Sequence, residues 1–276
     1  MPPRMFFVGI FIALTTYFWA FWPVFVDLWQ TWSDNEDYSH GFFIVPVCCY
    51  LIWKKGSRED FSSENSNWLG LFAVLLGLGL YLAGLFSQFR SLAYLSFVFV
   101  GWASLFFLFG YQFFKKFGWE LFLLVFMLPI PSRLYASITL PLQLVVTKIS
   151  YVALQLLGIP VYREGNILQL ANTTLQVVNA CSGLRSILTI IVLAFVMACL
   201  FFQKSRYRIV LIAFAVPLAI LANFIRVIVI AVFAQYGNTS FIEGTGHTIL
   251  GLGLFSLVLW LLFLVSRSME CILQRK

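Results

Sequence analysis

The run Asn179-Ala180-Cys181-Ser182-Gly183-Leu184-Arg185-Ser186 carries the makings of a nucleophile. It leads directly into a long apolar stretch, so Cys181 is expected at a helix N-terminus. Unpaired N–H groups and the macrodipole favour negative charge there. Such a setting favours the thiolate, the nucleophilic form of cysteine. Asn179 or Ser182 would cap the helix, and Gly183 permits tight backbone geometry or the close approach of a substrate chain. The bland alternative is a buried Cys181 acting as a small apolar residue, the commoner role.

Asn223-Phe224-Ile225-Arg226 lies inside another apolar stretch. A charge in hydrocarbon costs about 2.5 kcal/mol or more at the bilayer centre, so it usually faces a protein interior and serves a function. No Asp or Glu is expected inside a span at matching depth. Arg226 is expected nine residues before the end of its span, roughly 14 Å below it. Asn223, three residues earlier, shares its face. His247, in Gly244-Thr245-Gly246-His247-Thr248, opens the next apolar stretch, and Gly251 at i+4 leaves room beside it for a neighbouring helix. Cys181, Arg226 and His247 thus come from three segments yet fall at one membrane face. Together they supply a nucleophile, a cation for a developing oxyanion and a base. The other histidine, His40 in Asp37-Tyr38-Ser39-His40-Gly41, falls at the same face and would contact substrate or cap a span.

The elements that must position these groups are membrane helices. Hydrophobic residues make up 61% of the 276, and charged residues only 11%, against about 25% in soluble domains. That balance argues against a cytosolic enzyme, a disordered chain and a nucleic-acid reader. Spans are expected near 6–27, 39–53, 68–86, 91–110, 118–131, 184–202, 209–235 and 248–266. The first reads as a retained helix, since it is aromatic-rich and has no small-residue cleavage site. With both termini cytoplasmic, the inner segments hold 12 of the 18 basic residues and the acidic Asp34, Glu36 and Asp37 fall outside. This agrees with the positive-inside rule. The expected fold is an all-α polytopic membrane protein of about eight spans, a single integral-membrane domain over 1–276.

Between the fifth and sixth spans, Gln143, Thr147 and Ser150 follow i, i+4, i+7 opposite Leu144, Val145, Ile149 and Val152. This suggests an amphipathic helix in the outer interface. Leu168-Gln169-Leu170 and Leu175-Gln176-Val177 alternate around Ala171-Asn172, which suggests a small β-hairpin. Gly70, Gly77 and Gly84 recur every seven residues and read as helix packing.

Other chemistries find little support. There is no His-Glu-x-x-His and there are only two histidines, so no metal or cofactor is expected. No Gly-x-Ser-x-Gly surrounds a serine nucleophile. Cys48 and Cys49 are adjacent, with no Cys-x-x-Cys, which gives weak support to a redox protein pairing them with Cys181. A transporter or polysaccharide-assembly protein would use Arg226 to bind an anionic substrate and leave Cys181 incidental.

Asn-Ala-Cys-Ser-Gly-Leu-Arg-Ser at 179–186, Asn-Phe-Ile-Arg at 223–226, Gly-His-Thr at 246–248 and Tyr-Ser-His-Gly at 38–41 together resemble the exosortase/archaeosortase family, on its bacterial exosortase side. The likeness covers residues 37 to 266. It implies a cysteine protease and transpeptidase of the bacterial inner membrane, working at the periplasmic leaflet. The substrates would be exported proteins ending in a PEP-CTERM-type signal: a Pro-Glu-Pro-type motif, a transmembrane helix and a basic tail. Cys181 would form the thioacyl intermediate, His247 would handle protons and Arg226 would stabilise the oxyanion or orient substrate. The acceptor would be a surface glycan or lipid.

Overall fold

The computed structural model describes residues 3–56, 67–171, 173–176, 183–237 and 244–274, with side chains described within these for 11–56, 67–171, 173–176, 186–237 and 244–271. The chain forms two compact units, residues 1–131 and 132–276.

The first unit begins with helices α1 (Pro3–Ala20) and α2 (Trp22–Asp34), which meet at an angle of 70°. The expected first span is therefore a broken one. Pro23 opens α2 and has no N–H to continue the ladder of α1. After a short 3-10 turn, Glu36–Tyr38, comes α3 (Gly41–Lys55). Then α4 (Trp68–Phe86) packs most extensively on α5 (Arg90–Phe122). The seven-residue glycine repeat is the seam. A Cβ at Gly70 would stand 2.5 Å from the Phe107 backbone, one at Gly77 2.5 Å from Val100 Cγ2, and one at Gly84 2.9 Å from the Ala93 nitrogen.

Between the expected fourth and fifth spans the backbone leaves the helix at Gly110, whose φ of 73° strongly favours glycine. Element α5 is therefore two helical stretches, the first ending where the fourth span is expected to end. Past the break, Phe113, Phe117 and Leu121 recur every four residues and bury with Phe109. A second 3-10 turn, Leu123–Met127, follows.

The second unit opens with α6 (Ser132–Leu156). The expected amphipathic helix forms, but its polar stripe points inward. Thr147 and Ser150 are buried, whereas Val145, Ile149 and Val152 are exposed. At 25 residues it is long and apolar enough to cross a membrane. Periodicity alone gives the same signal for an interfacial helix and for a span whose polar stripe packs inward.

Strands β1 (Val161–Glu164), β2 (Ile167–Leu170) and β3 (Thr174–Gln176) form an antiparallel sheet in that order. The expected hairpin is β2–β3, and β1 extends it. Leu168, Leu170 and Leu175 bury against Val146 and Leu154 of α6. They also meet Val227, Ile230, Ala231 and Ala234 of the long helix α8 (Ser205–Gln235). The opposite side of α8 packs with α7 (Gly183–Phe201) and α9 (Thr245–Gln274) around Ile190, Ala194, Ala198, Leu211, Ala215 and Leu262.

Among the described residues, five helices are long and apolar enough to cross a membrane, or six if the bent α1–α2 pair counts as one. Of the eight expected spans, the second corresponds to α3, with 15 residues, and the sixth to α7, with 19.

Candidate functional site

Helices α7, α8 and α9 run alternately up and down, so the start of α7, the end of α8 and the start of α9 lie at one end of the bundle. Helical spacing selects the face each presents there. Ser186 and Ile190 of α7 are one turn apart. Ala219, Ala222, Asn223 and Arg226 of α8 share a face. So do His247 and Gly251 of α9. Most of these side chains, with Leu254 and Phe255, line a cavity of about 20 Å³. One water needs roughly 10–15 Å³, so the space suits a single water among polar groups.

The chemical centre is a hydrogen bond of 2.5 Å between Arg226 Nη2 and His247 Nε2. A guanidinium has no acceptor. It must donate, so Nε2 is unprotonated and a neutral ring carries its proton on Nδ1. Arg226 Nε is buried and has no hydrogen-bond partner among the described residues. Leaving a buried donor unmet costs about 1–3 kcal/mol, a cost sites tolerate where the donor has another purpose.

Gly251 makes the arrangement sterically feasible. A Cβ there would lie 3.2 Å from Arg226 Nη2 and 3.4 Å from Cζ. The glycine expected to admit a neighbouring helix admits the guanidinium instead. Asn223 is buried beside the same cavity, as the i, i+3 spacing leads one to expect.

Asn179, Cys181 and Ser182 lie outside the described residues, and Gly183 is the first residue of α7. Arg226 and His247, from separate helices, are brought together. Sequence reasoning passed over Ser186, which lines the cavity. The signal was present, because Ser186 belongs to the same eight-residue run as Cys181 and sits in the first turn of the helix that run opens.

His40 belongs to the first unit. It occupies the N-cap position of α3 but makes no side-chain cap there. Its Nε2 lies 3.1 Å from the Phe126 carbonyl oxygen, which only accepts, so here Nε2 carries the proton. Its neighbours are built the same way. Trp32 Nε1 donates to the Met127 carbonyl at 2.9 Å. A Cβ at Gly41 would stand 2.3 Å from that indole nitrogen. Burial raises the Tyr38 phenol above its ordinary pKa, outweighing a backbone hydrogen bond at Ile130, so it stays a hydroxyl. His40 and Trp32 are thus pinned to the 3-10 turn after α5. Among the described residues Cys48 and Cys49 form no disulfide, and Cys48 Sγ donates to the Glu120 carbonyl at 3.1 Å.

The family model described as transmembrane exosortase matches residues 32–264. No curated protein and no solved structure matches the chain.

Proposed function

The chain belongs to the transmembrane exosortase family, and on that premise we propose that it is a membrane-embedded cysteine protease and transpeptidase. Its substrates are exported proteins with a C-terminal PEP-CTERM-type sorting signal, and it works at the periplasmic leaflet of a bacterial inner membrane. The observation that carries this reading is the Arg226–His247 hydrogen bond, beside a cavity that the first turn of α7 also lines. Cys181 precedes that helix by two residues.

Each group then has a role. The Cys181 thiolate attacks the scissile carbonyl, and a tetrahedral oxyanion forms. Arg226 supplies fixed positive charge and the N–H groups that His247 does not take, stabilising that oxyanion. The C–N bond breaks, the departing amine takes a proton, and a thioester remains on Cys181. His247 Nε2, leaving its bond to Arg226, takes the Cys181 thiol proton. The resulting imidazolium gives that proton to the departing amine. The neutral ring then takes one from the incoming acceptor, a glycan or lipid nucleophile. Asn223 and Ser186 hold the guanidinium's surroundings. Gly183 lets the substrate chain come close.

The test is co-expression with a reporter ending in a Pro-Glu-Pro motif, an apolar span and arginines, read by intact mass. Cys181→Ala should leave the reporter uncut. Cleavage at the wild-type rate would end the proposal. A transporter using Arg226 for an anion predicts no thiol at Cys181 that a signal peptide protects from alkylation. The cysteine enzyme predicts that protection.

A further inference from the structure

A second polar constellation lies in the first unit, where α2 faces the turn between α4 and α5. A cleft of about 580 Å³ is lined by Pro23, Val24, Asp27, Leu85, Gln88, Arg90 and Tyr94, among others. That is within the roughly 300–1,000 Å³ of small-molecule sites. We propose that this cleft binds a phosphoethanolamine group, with phosphate on Arg90 and the primary ammonium on Asp27.

The charges argue for a ligand bearing both signs. Arg90 Nη1 and Asp27 Oδ1 are 3.4 Å apart, longer than the roughly 2.7–2.9 Å of a committed ion pair. Arg90 is 77% exposed on its side chain, so most of its donors face outward. Asp27 is fixed more firmly. Its Oδ2 accepts from the buried Tyr94 hydroxyl at 2.5 Å, which aims the other oxygen at the cleft. A cation and an anion held side by side match a zwitterion reversed end for end. A primary ammonium can donate hydrogen bonds to Asp27. A quaternary one cannot.

The placement of Arg90 argues for phosphate in particular. It opens α5, whose first helical stretch has no side-chain cap, and a basic residue there opposes the macrodipole. A phosphate between them reverses the sign of both interactions. The surroundings argue for a lipid as its source. Phe86 and Phe89 flank the turn and are 87% and 54% exposed, and Leu85, Val24 and Pro23 make an apolar wall. Exposed apolar rings beside a charged pair suit a lipid, whose acyl chains lie on the rings while its headgroup meets the charges.

Native mass spectrometry of the full chain in detergent, exchanged against phosphatidylethanolamine, phosphatidylcholine and phosphatidylglycerol, tests this. Phosphatidylethanolamine should be retained roughly tenfold over the other two, the worth of one charge-assisted hydrogen bond. Asp27→Asn should erase that preference, and Arg90→Gln should lower retention of all three. Arg90 is exposed, so its variant tests the site even if Asp27→Asn unfolds. Soluble phosphoethanolamine should displace the lipid only weakly. Strong displacement by it, but not by inorganic phosphate, supports the same chemistry with a soluble source. Equal retention of the three lipids, a preference intact in Asp27→Asn, retention unchanged in Arg90→Gln, or displacement by inorganic phosphate as strong as by phosphoethanolamine would overturn it.

Discussion

The chain's two histidines use the same ring nitrogen in opposite senses. His40 Nε2 donates to a backbone carbonyl of the 3-10 turn after α5. His247 Nε2 accepts from a guanidinium. A carbonyl partner belongs to the fold, so His40 joins two segments as Trp32 does beside it. A guanidinium partner is itself a group in need of satisfaction, set in a helix where charge is costly. The two arginines of α8 repeat the contrast. Arg208 is 1% exposed and its Nε donates at 2.7 Å to the Phe202 carbonyl, just past the end of α7. That carbonyl is one a helix C-terminus leaves open. Arg226 instead faces another side chain and a cavity. Backbone partners tie Arg208 and His40 into the fold, whereas Arg226 and His247 pair with each other, and it is that pair we propose for chemistry.

Substituting both histidines gives the largest expected effect. His247→Ala should slow reporter cleavage by about 10²–10⁴, the usual worth of a general acid–base, with little change in thermal unfolding. His40→Ala should leave cleavage per folded molecule near wild type and destabilise by about 1 kcal/mol, because the part-buried Phe126 carbonyl loses a donor. Time courses of cleavage and melting curves in detergent read both. Equal losses of rate in the two variants would erase the distinction.

The arginines sharpen it next. Arg226→Lys keeps the charge but loses the planar fork. Cleavage should fall about 10²-fold through kcat, since the lost interaction is made in the transition state. Arg208→Lys should lower the melting temperature and spare kcat. If Arg226→Lys raised KM alone, Arg226 would bind substrate and not the oxyanion.

One contact of the candidate site was legible in the sequence, while Asn179, Cys181 and Ser182 lie outside the described residues. Arg226 and His247 could be paired from sequence because each is rare in its setting and each sits at a computable depth in its helix. Spacing also exposed the packing role of Gly70, Gly77 and Gly84. What failed had physical causes. A glycine within an apolar run does not declare a positive φ, so the break at Gly110 shows in the sequence only as the end of the fourth expected span. Nor can periodicity say which way the polar stripe of α6 faces, because a lipid-facing helix turns the soluble rule around. The strand β1 did leave a signal. Gly165-Asn166 is a two-residue connection joining Glu164 to Ile167, with Gly165 at φ 60°, a hairpin signature.

The smallest expected effect isolates geometry from stability, and two glycines on α9 provide the control. A Cβ at Gly251 meets the Arg226 guanidinium at 3.2 Å, while one at Gly253 meets nothing within 4 Å. Alanine is the better helix former by roughly 1 kcal/mol, so both variants gain intrinsic helix stability. In Gly253→Ala that gain should appear as a slightly higher melting temperature with unchanged cleavage. In Gly251→Ala the methyl group must move the guanidinium by a few tenths of an ångström, altering its hydrogen bond to His247. Melting should hold or rise while cleavage falls about tenfold, the rate cost of roughly 1.4 kcal/mol in the barrier. A variant that loses activity without losing stability separates a positioned guanidinium from one that merely fills space. Equal activity in the two alanine variants would mean that the Arg226–His247 contact tolerates displacement and that its present geometry does not set the rate.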